Sequence, residues 1–157
     1  MSDFAALRLT WEHRVLSILR IVVGLLYMEH GLAKLVHFPL TPECSVSRVP
    51  GCHVPYTLFS LSPGLQGLLE LVGGLLFALG LFTRPVAFIL AGNMAVAYFM
   101  VHAPRGFFPL LNGGELAIMY CFVFFYFWLA GGGEWSLDRW LAPASTLRDR
   151  PAQSRAV

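Results

Sequence analysis

Four long apolar stretches constrain what this chain can fold into. They cover residues 15–36, 64–82, 86–101 and 111–130. A helix needs about 20 apolar residues to cross a bilayer, and the stretches lie near that length. Hydrophobic residues make up 57% of the 157 residues and charged residues only 13%, which argues against a soluble globule and against disorder. The sequence therefore predicts an all-α integral membrane protein, with a four-helix transmembrane domain over residues 15–141.

Lys and Arg residues predict the orientation of this bundle. Cytoplasmic ends of membrane helices carry an excess of these residues. Four crossings place seven of the 11 Lys and Arg residues on one side of the membrane, which predicts cytoplasmic N- and C-termini. Residues 1–14 would form a cytoplasmic segment and residues 142–157 a disordered cytoplasmic tail. We expect the inner membrane of a bacterial or archaeal cell. The net charge of +2 does not favour nucleic-acid binding.

The long loop between the first two spans, residues 37–63, would then be extracytoplasmic. It contains Cys44 and Cys52, which would face an oxidising compartment. A structural disulfide between them is the favoured interpretation. A redox-active pair and free thiols stay open as alternatives, although the spacing is not the Cys-x-x-Cys of low-pKa dithiols.

Polar side chains inside the apolar stretches are the strongest functional signal. Such groups are costly in lipid and usually face the bundle interior. Counting about 1.5 Å per residue places most of them at one level of the extracytoplasmic half. The candidate site consists of Arg20, Tyr27, Glu29, His30, Lys34, Glu70, Asn93 and Glu115.

The charge balance of this set favours a ligand or proton site. The three Glu residues outnumber the two permanent cations, so one acid is unmatched unless His30 is protonated. Coupled carboxylates in a low dielectric would share a proton. The alternative is that these groups only hold the helices together through ion pairs. Glu29 points nearly opposite Arg20, so it could serve another neighbour or a partner subunit.

Helical spacing also predicts apolar walls for the site. Glu115 begins a stripe on the last span at steps of four, three and four residues. Gly67, Gly73 and Gly74 would let a neighbouring backbone approach the second span. The predicted wall residues are Phe77, Met119, Phe122 and Tyr126.

Four segments together resemble the DoxX family of small four-span membrane proteins. The resemblance extends over residues 15–141 and implies a component of a respiratory system, of the quinol oxidase or thiosulfate:quinone oxidoreductase type. The segments are RIVVGLLYMEHGLAK at residues 20–34, ELVGGLLFALGLFTR at 70–84, NGGE at 112–115 and GGGEWSLD at 131–138.

These observations predict a quinone- or quinol-interacting, or proton-handling, subunit of a membrane redox system. If the chain is catalytic, it would act as an oxidoreductase subunit with quinone. No motif for a covalently bound cofactor or a metal site is present, and haem ligation by His30 and His102 is a minor alternative. One alternative function is a non-catalytic subunit that docks or stabilises an oxidoreductase complex. Another is a small proton-coupled transporter. The expected partners are membrane lipid, together with a protein of such a complex or a second copy of this chain.

Overall fold

The computed structural model describes residues 2–39 and 64–142, and every regular element in them is helical. The predicted all-α class is therefore confirmed for this part of the chain. Cys44, Cys52 and residues 143–157 lie outside the described residues, so the disulfide and the tail stay predictions. The helices are α1 (Ser2–Val36), α2 (Gln66–Leu79), α3 (Thr83–Ala97), α4 (Pro109–Asn112), α5 (Glu115–Ala130) and α6 (Leu137–Leu141).

Two helical stretches are long and apolar enough to cross a bilayer, namely Trp11–Val36 and Thr83–Arg105. The second stretch consists of α3, a π-helical turn (Tyr98–His102) and a 3-10 turn (Ala103–Arg105). The apolar helices α2 and α5 are shorter, with 14 and 16 residues. The described structure thus contains two candidate spanning helices and two shorter apolar ones.

Glycines bring α1 and α2 into backbone contact. A Cβ atom added to Gly31 of α1 would lie 2.5 Å from the backbone nitrogen of Leu71, and one added to Gly74 of α2 would lie 2.8 Å from that of Met28. Helices in lipid associate through such close packing, because the hydrophobic effect does not drive them together there. The expected close approach at Gly74 is therefore present, and it sets the side chains of α1 directly beside those of α2.

An aromatic cluster forms the core where the α1–α2 pair meets the α3–α5 pair. Phe124 of α5 packs edge to face on Tyr27 and on Phe77, with both pairs of ring centroids 4.9 Å apart. Phe127 contacts Phe77 in the same way at 5.0 Å. These are favourable separations for edge-to-face rings. The core fixes which face of α5 turns inward.

Asp138 closes the turn between α2 and α3 from the far end of the chain. Gly80 ends α2 with a φ of +70°. The two carboxylate oxygens of Asp138 then accept the N–H groups of Phe82 and Thr83 at 2.6 and 2.7 Å. Asp138 therefore caps the N-terminus of α3, and its own N–H donates to the carbonyl oxygen of Gly80 at 2.9 Å.

Arg20 is buried beside this same turn. Its Nη2 donates to the carbonyl oxygen of Trp135 at 2.9 Å, and its Nη1 donates to that of Phe77 at 3.4 Å. The hydroxyl oxygen of Ser17 accepts the N–H of Trp135 at 3.1 Å. These contacts join α1, α2, α3 and the segment before α6 into one polar cluster. We call this cluster the terminal clamp, and its members are Ser17, Arg20, Thr83, Ser136 and Asp138.

Candidate functional site

A cavity of about 590 Å³ lies between the helices at the opposite end of the bundle from the terminal clamp. All the long helices contribute to its lining, because α1, α2, α3 and α5 converge there. Five of the eight polar residues expected at the site line it. They are Tyr27, His30, Lys34, Glu70 and Asn93.

Glu70 is the buried acid of this cavity. Its residue is 3% exposed, and its Oε1 lies 2.5 Å from Nζ of Lys34. Nε2 of Gln66, one helical turn earlier on α2, donates to the same oxygen at 3.2 Å. The other carboxylate oxygen, Oε2, is buried and has no hydrogen-bond partner among residues 2–39 and 64–142. A buried carboxylate oxygen without a partner is costly, so Oε2 is an acceptor that a bound ligand could satisfy.

Tyr27 and Asn93 form a second polar pair on the cavity wall. Nδ2 of Asn93 donates to the hydroxyl oxygen of Tyr27 at 2.8 Å. A phenol accepts and donates at once, so the Tyr27 proton stays available to an acceptor in the cavity. Tyr27 is also fixed by Tyr120, whose ring packs edge-on at 5.2 Å. The pair thus presents a donor on a rigid aromatic support.

The α1 side chains of the site share one face of that helix. Tyr27, His30 and Lys34 follow at steps of three and four residues, which places them on the same side of an α-helix. The ring of His30 stands edge-on to Tyr120, with centroids 6.0 Å apart. At the rim, Nδ1 of His102 lies 3.1 Å from the carbonyl oxygen of Asn112. The cavity therefore has one imidazole on α1 and another in the π-helical turn after α3.

The structure does not bring Arg20, Glu29 and Glu115 to this cavity. Arg20 lies ten residues before His30, about 15 Å along the helix axis, and its guanidinium belongs to the terminal clamp. Arg20 shares a helix face with the other polar groups of α1 but not their level along the helix axis. Glu29 and Glu115 are exposed and do not line the cavity.

The predicted wall residues do not line this cavity either. Met119, Phe122 and Tyr126 point outward, with 62%, 68% and 53% of their surfaces exposed. Phe77 is fully buried, but in the aromatic core rather than at the cavity. The wall that α5 actually provides includes Tyr120, which the sequence reasoning missed. Because α5 is apolar on every side, its sequence carries no signal for the face that turns inward.

This arrangement suits a polar, planar headgroup with an apolar body. The volume lies within the range of about 300–1,000 Å³ common for small-molecule sites. Acceptors, donors and aromatic rings lie on different walls, so a ligand could be held at two ends at once. Within residues 2–39 and 64–142, no three His, Cys, Asp or Glu side chains are grouped so as to hold a metal ion.

The fold and cavity describe a helical membrane bundle with a polar site inside it. A family model described as DoxX matches residues 15–103, more than half of the chain. The chain belongs to the DoxX family, as the sequence motifs predict, and it is a membrane protein that contacts lipid.

Two relatives support this assignment. A Haemophilus influenzae protein described as uncharacterized is 44% identical over 126 residues, which cover 78% of this chain and 87% of the relative. A Mycobacterium tuberculosis protein described as an uncharacterized membrane protein is 27% identical over 139 residues, which cover 82% of each chain. No solved structure matches this chain.

Proposed function

We propose that this protein is a subunit of a membrane redox system and binds a quinone or quinol headgroup in the cavity between α1, α2, α3 and α5. The buried, unpartnered Oε2 of Glu70 carries the proposal. A quinol has a hydroxyl group at each end of its ring, and a buried acceptor without a partner is what such a hydroxyl satisfies. The aromatic ring of Tyr120 and the apolar lining beside it supply the surroundings that the headgroup and its isoprenoid tail require.

The second end of the headgroup meets the Tyr27–Asn93 pair in this proposal. Tyr27 donates its phenolic proton to the far oxygen of the ring, while Asn93 holds the phenol in place. Oxidation of a quinol to a quinone releases two protons and two electrons. In this step the Glu70 carboxylate, which is paired with Lys34 beforehand, takes up one of the two protons. The second proton leaves to water at the open side of the cavity, and both electrons pass to a redox centre on a partner oxidoreductase. This chain would thus bind the headgroup and handle its protons.

We further propose four membrane crossings with both termini in the cytoplasm. The support is the excess of Lys and Arg at the end that carries the terminal clamp. Helices α2 and α5 would be about 21 and 24 Å long at about 1.5 Å per residue, so their flanking turns complete the crossing. A fluorescent protein and alkaline phosphatase, fused in turn to the C-terminus, test this arrangement. Fluorescence without phosphatase activity supports a cytoplasmic C-terminus, and the reverse result contradicts it.

Glu70→Gln tests the quinone proposal, with Glu29→Gln as the matched control. Both residues are acids within apolar helices, but only Glu70 lines the cavity. We expect at least about tenfold weaker quinol binding by Glu70→Gln, since a hydrogen bond to a charged group contributes about 1.5–3 kcal/mol. Glu29→Gln should bind quinol as the unchanged protein does. The measurement is the quinol retained by purified protein in detergent under reducing conditions, quantified by chromatography over a titration.

The same preparations separate the competing functions. Equal quinol retention by both variants and the unchanged protein would contradict the proposal. Co-purification of an oxidoreductase with no binding of quinol or quinone would instead support the docking subunit. Proton-dependent flux in proteoliposomes, abolished by Glu70→Gln, would support the transporter.

A further inference from the structure

A second cavity, of about 1110 Å³, lies at the end of the bundle that carries the terminal clamp. It is lined by residues 11–19 of α1, the turn into α3, the end of α5 and α6. One part of this lining is apolar. The apolar lining includes Val15, Leu16, Leu19, Phe82 and Tyr126.

The other side of this cavity carries two guanidinium groups, those of Arg84 and Arg139. Among the described residues neither has an ion-pair partner. Of the two acids in the lining, Asp138 already accepts two backbone N–H groups with its carboxylate, and Glu12 is exposed. The cavity is therefore amphipathic, and its two guanidinium groups have no acid paired with them among the described residues.

A buried hydroxyl group in the same cavity has no partner. Thr83 is 1% exposed, and its Oγ1 makes no hydrogen bond to any residue that the structure describes. Its own N–H is held by Asp138, so the hydroxyl is positioned by the capped start of α3. A buried hydroxyl normally has a partner, and here a ligand oxygen would supply one.

Tryptophans mark the level of this cavity. Trp11, Trp135 and Trp140 are at the same end of the bundle and are 49%, 51% and 85% exposed. Exposed tryptophans of membrane proteins concentrate at the depth of lipid headgroups. The unpaired guanidinium groups thus lie where lipid phosphates lie.

We propose that this cavity binds an anionic phospholipid, with the phosphate group between Arg84, Arg139 and the Thr83 hydroxyl. An acyl chain follows the apolar lining toward the membrane. The guanidinium of Arg84 lies against the backbone of Gly131, since a Cβ atom there would be 3.6 Å from Nε. This site is separate from the quinone cavity and does not depend on it.

Native mass spectrometry of the full-length protein tests the proposal. Delipidated protein in detergent is titrated with phosphatidylglycerol and, in parallel, with phosphatidylcholine of the same chains. We expect phosphatidylglycerol to bind more strongly than phosphatidylcholine. Arg84→Gln and Arg139→Gln should each weaken phosphatidylglycerol binding about fivefold, because this is the effect of one cation near an anionic membrane surface. Thr83→Val should weaken binding in the same direction.

Arg105→Gln is the matched control, because Arg105 is an exposed arginine that does not line this cavity. It should leave phosphatidylglycerol binding unchanged. Arg139 is exposed on the short helix α6, so its replacement should not unfold the bundle, which a melting curve checks. Equal binding of the two lipids, or equal losses in Arg139→Gln and Arg105→Gln, overturns the proposal. Displacement of the lipid by millimolar inorganic phosphate would also overturn it, because the site would then be one for free phosphate.

Discussion

Replacing Lys34 with Met should destabilise the bundle more than replacing Glu70 with Gln. The two side chains form one ion pair but differ in environment, with 34% of the Lys34 side chain exposed and 4% of the Glu70 side chain. Lys34→Met leaves a carboxylate buried with no cation beside it. Glu70→Gln leaves an ammonium group that still reaches the cavity opening, and the new amide can still pair with Gln66.

The size of each effect follows from this difference. Removal of one partner of a buried ion pair costs about 3–5 kcal/mol. Because the Lys34 side chain is one-third exposed, we expect Lys34→Met to lower the free energy of unfolding by the smaller value of this range, about 3 kcal/mol. We expect a loss of about 1 kcal/mol for Glu70→Gln, because the remaining Lys34 ammonium group stays hydrated. The double variant has no uncompensated charge, so it should be more stable than Lys34→Met alone.

Equilibrium unfolding in mixed detergent micelles, followed by tryptophan fluorescence, measures these free energies. The Arg14–Glu134 pair serves as the control, with 3.4 Å between its charged atoms and side chains 40% and 34% exposed. Glu134→Gln should cost at most about 1 kcal/mol, as exposed pairs do. The reasoning would be refuted if the Lys34→Met variant were at least as stable as the Glu70→Gln variant. It would also be refuted if the double variant were less stable than Lys34→Met alone.

Three further predictions concern packing, capping and the polar pair. Gly31→Ala should lower stability by about 1–3 kcal/mol, since its Cβ would enter the α2 backbone. Gly92→Ala is the control, because a Cβ atom added there would have no atom of another described residue within 4 Å. It should be neutral or stabilising by up to about 1 kcal/mol in melting curves. Asp138→Ala should lose about 2 kcal/mol in chemical unfolding because α3 loses its cap, and an unchanged midpoint would contradict this. Tyr27→Phe should cost about 1 kcal/mol by leaving the Asn93 amide unpaired, and should weaken quinol binding in the retention assay.

Local patterns predicted where α1 and α5 end, but not that α1 begins at Ser2 or that α5 begins only at Glu115. The predicted first span ends at residue 36, where α1 ends, and the last predicted span ends at residue 130, where α5 ends. The second predicted span ends at residue 82, three residues beyond the end of α2 at Leu79. The helix ends there because Gly80 adopts the left-handed conformation. Such ends depend on a few neighbouring residues, so the sequence carries their signals.

The grouping of Tyr27, His30 and Lys34 was also readable from the sequence, since their spacing places them on one helix face. The sequence could not show that Tyr120, rather than Phe122, faces them. A helix that is apolar on all sides has no preferred inward face until its neighbours pack against it.

The amino-acid sequence by itself determined that this chain is helical and membrane-embedded, and which polar residues lie within its apolar stretches. Only the tertiary structure decided that Arg20 belongs to the terminal clamp while Lys34 pairs with Glu70. Arg20 and the Trp135 carbonyl that it binds are separated by 115 residues. Periodicity describes the direction of a side chain around its own helix. The residue that it contacts depends instead on how whole helices pack together. In this protein that packing depends on the glycine contacts between α1 and α2 and on Asp138, which caps α3 from near the C-terminal end of the chain.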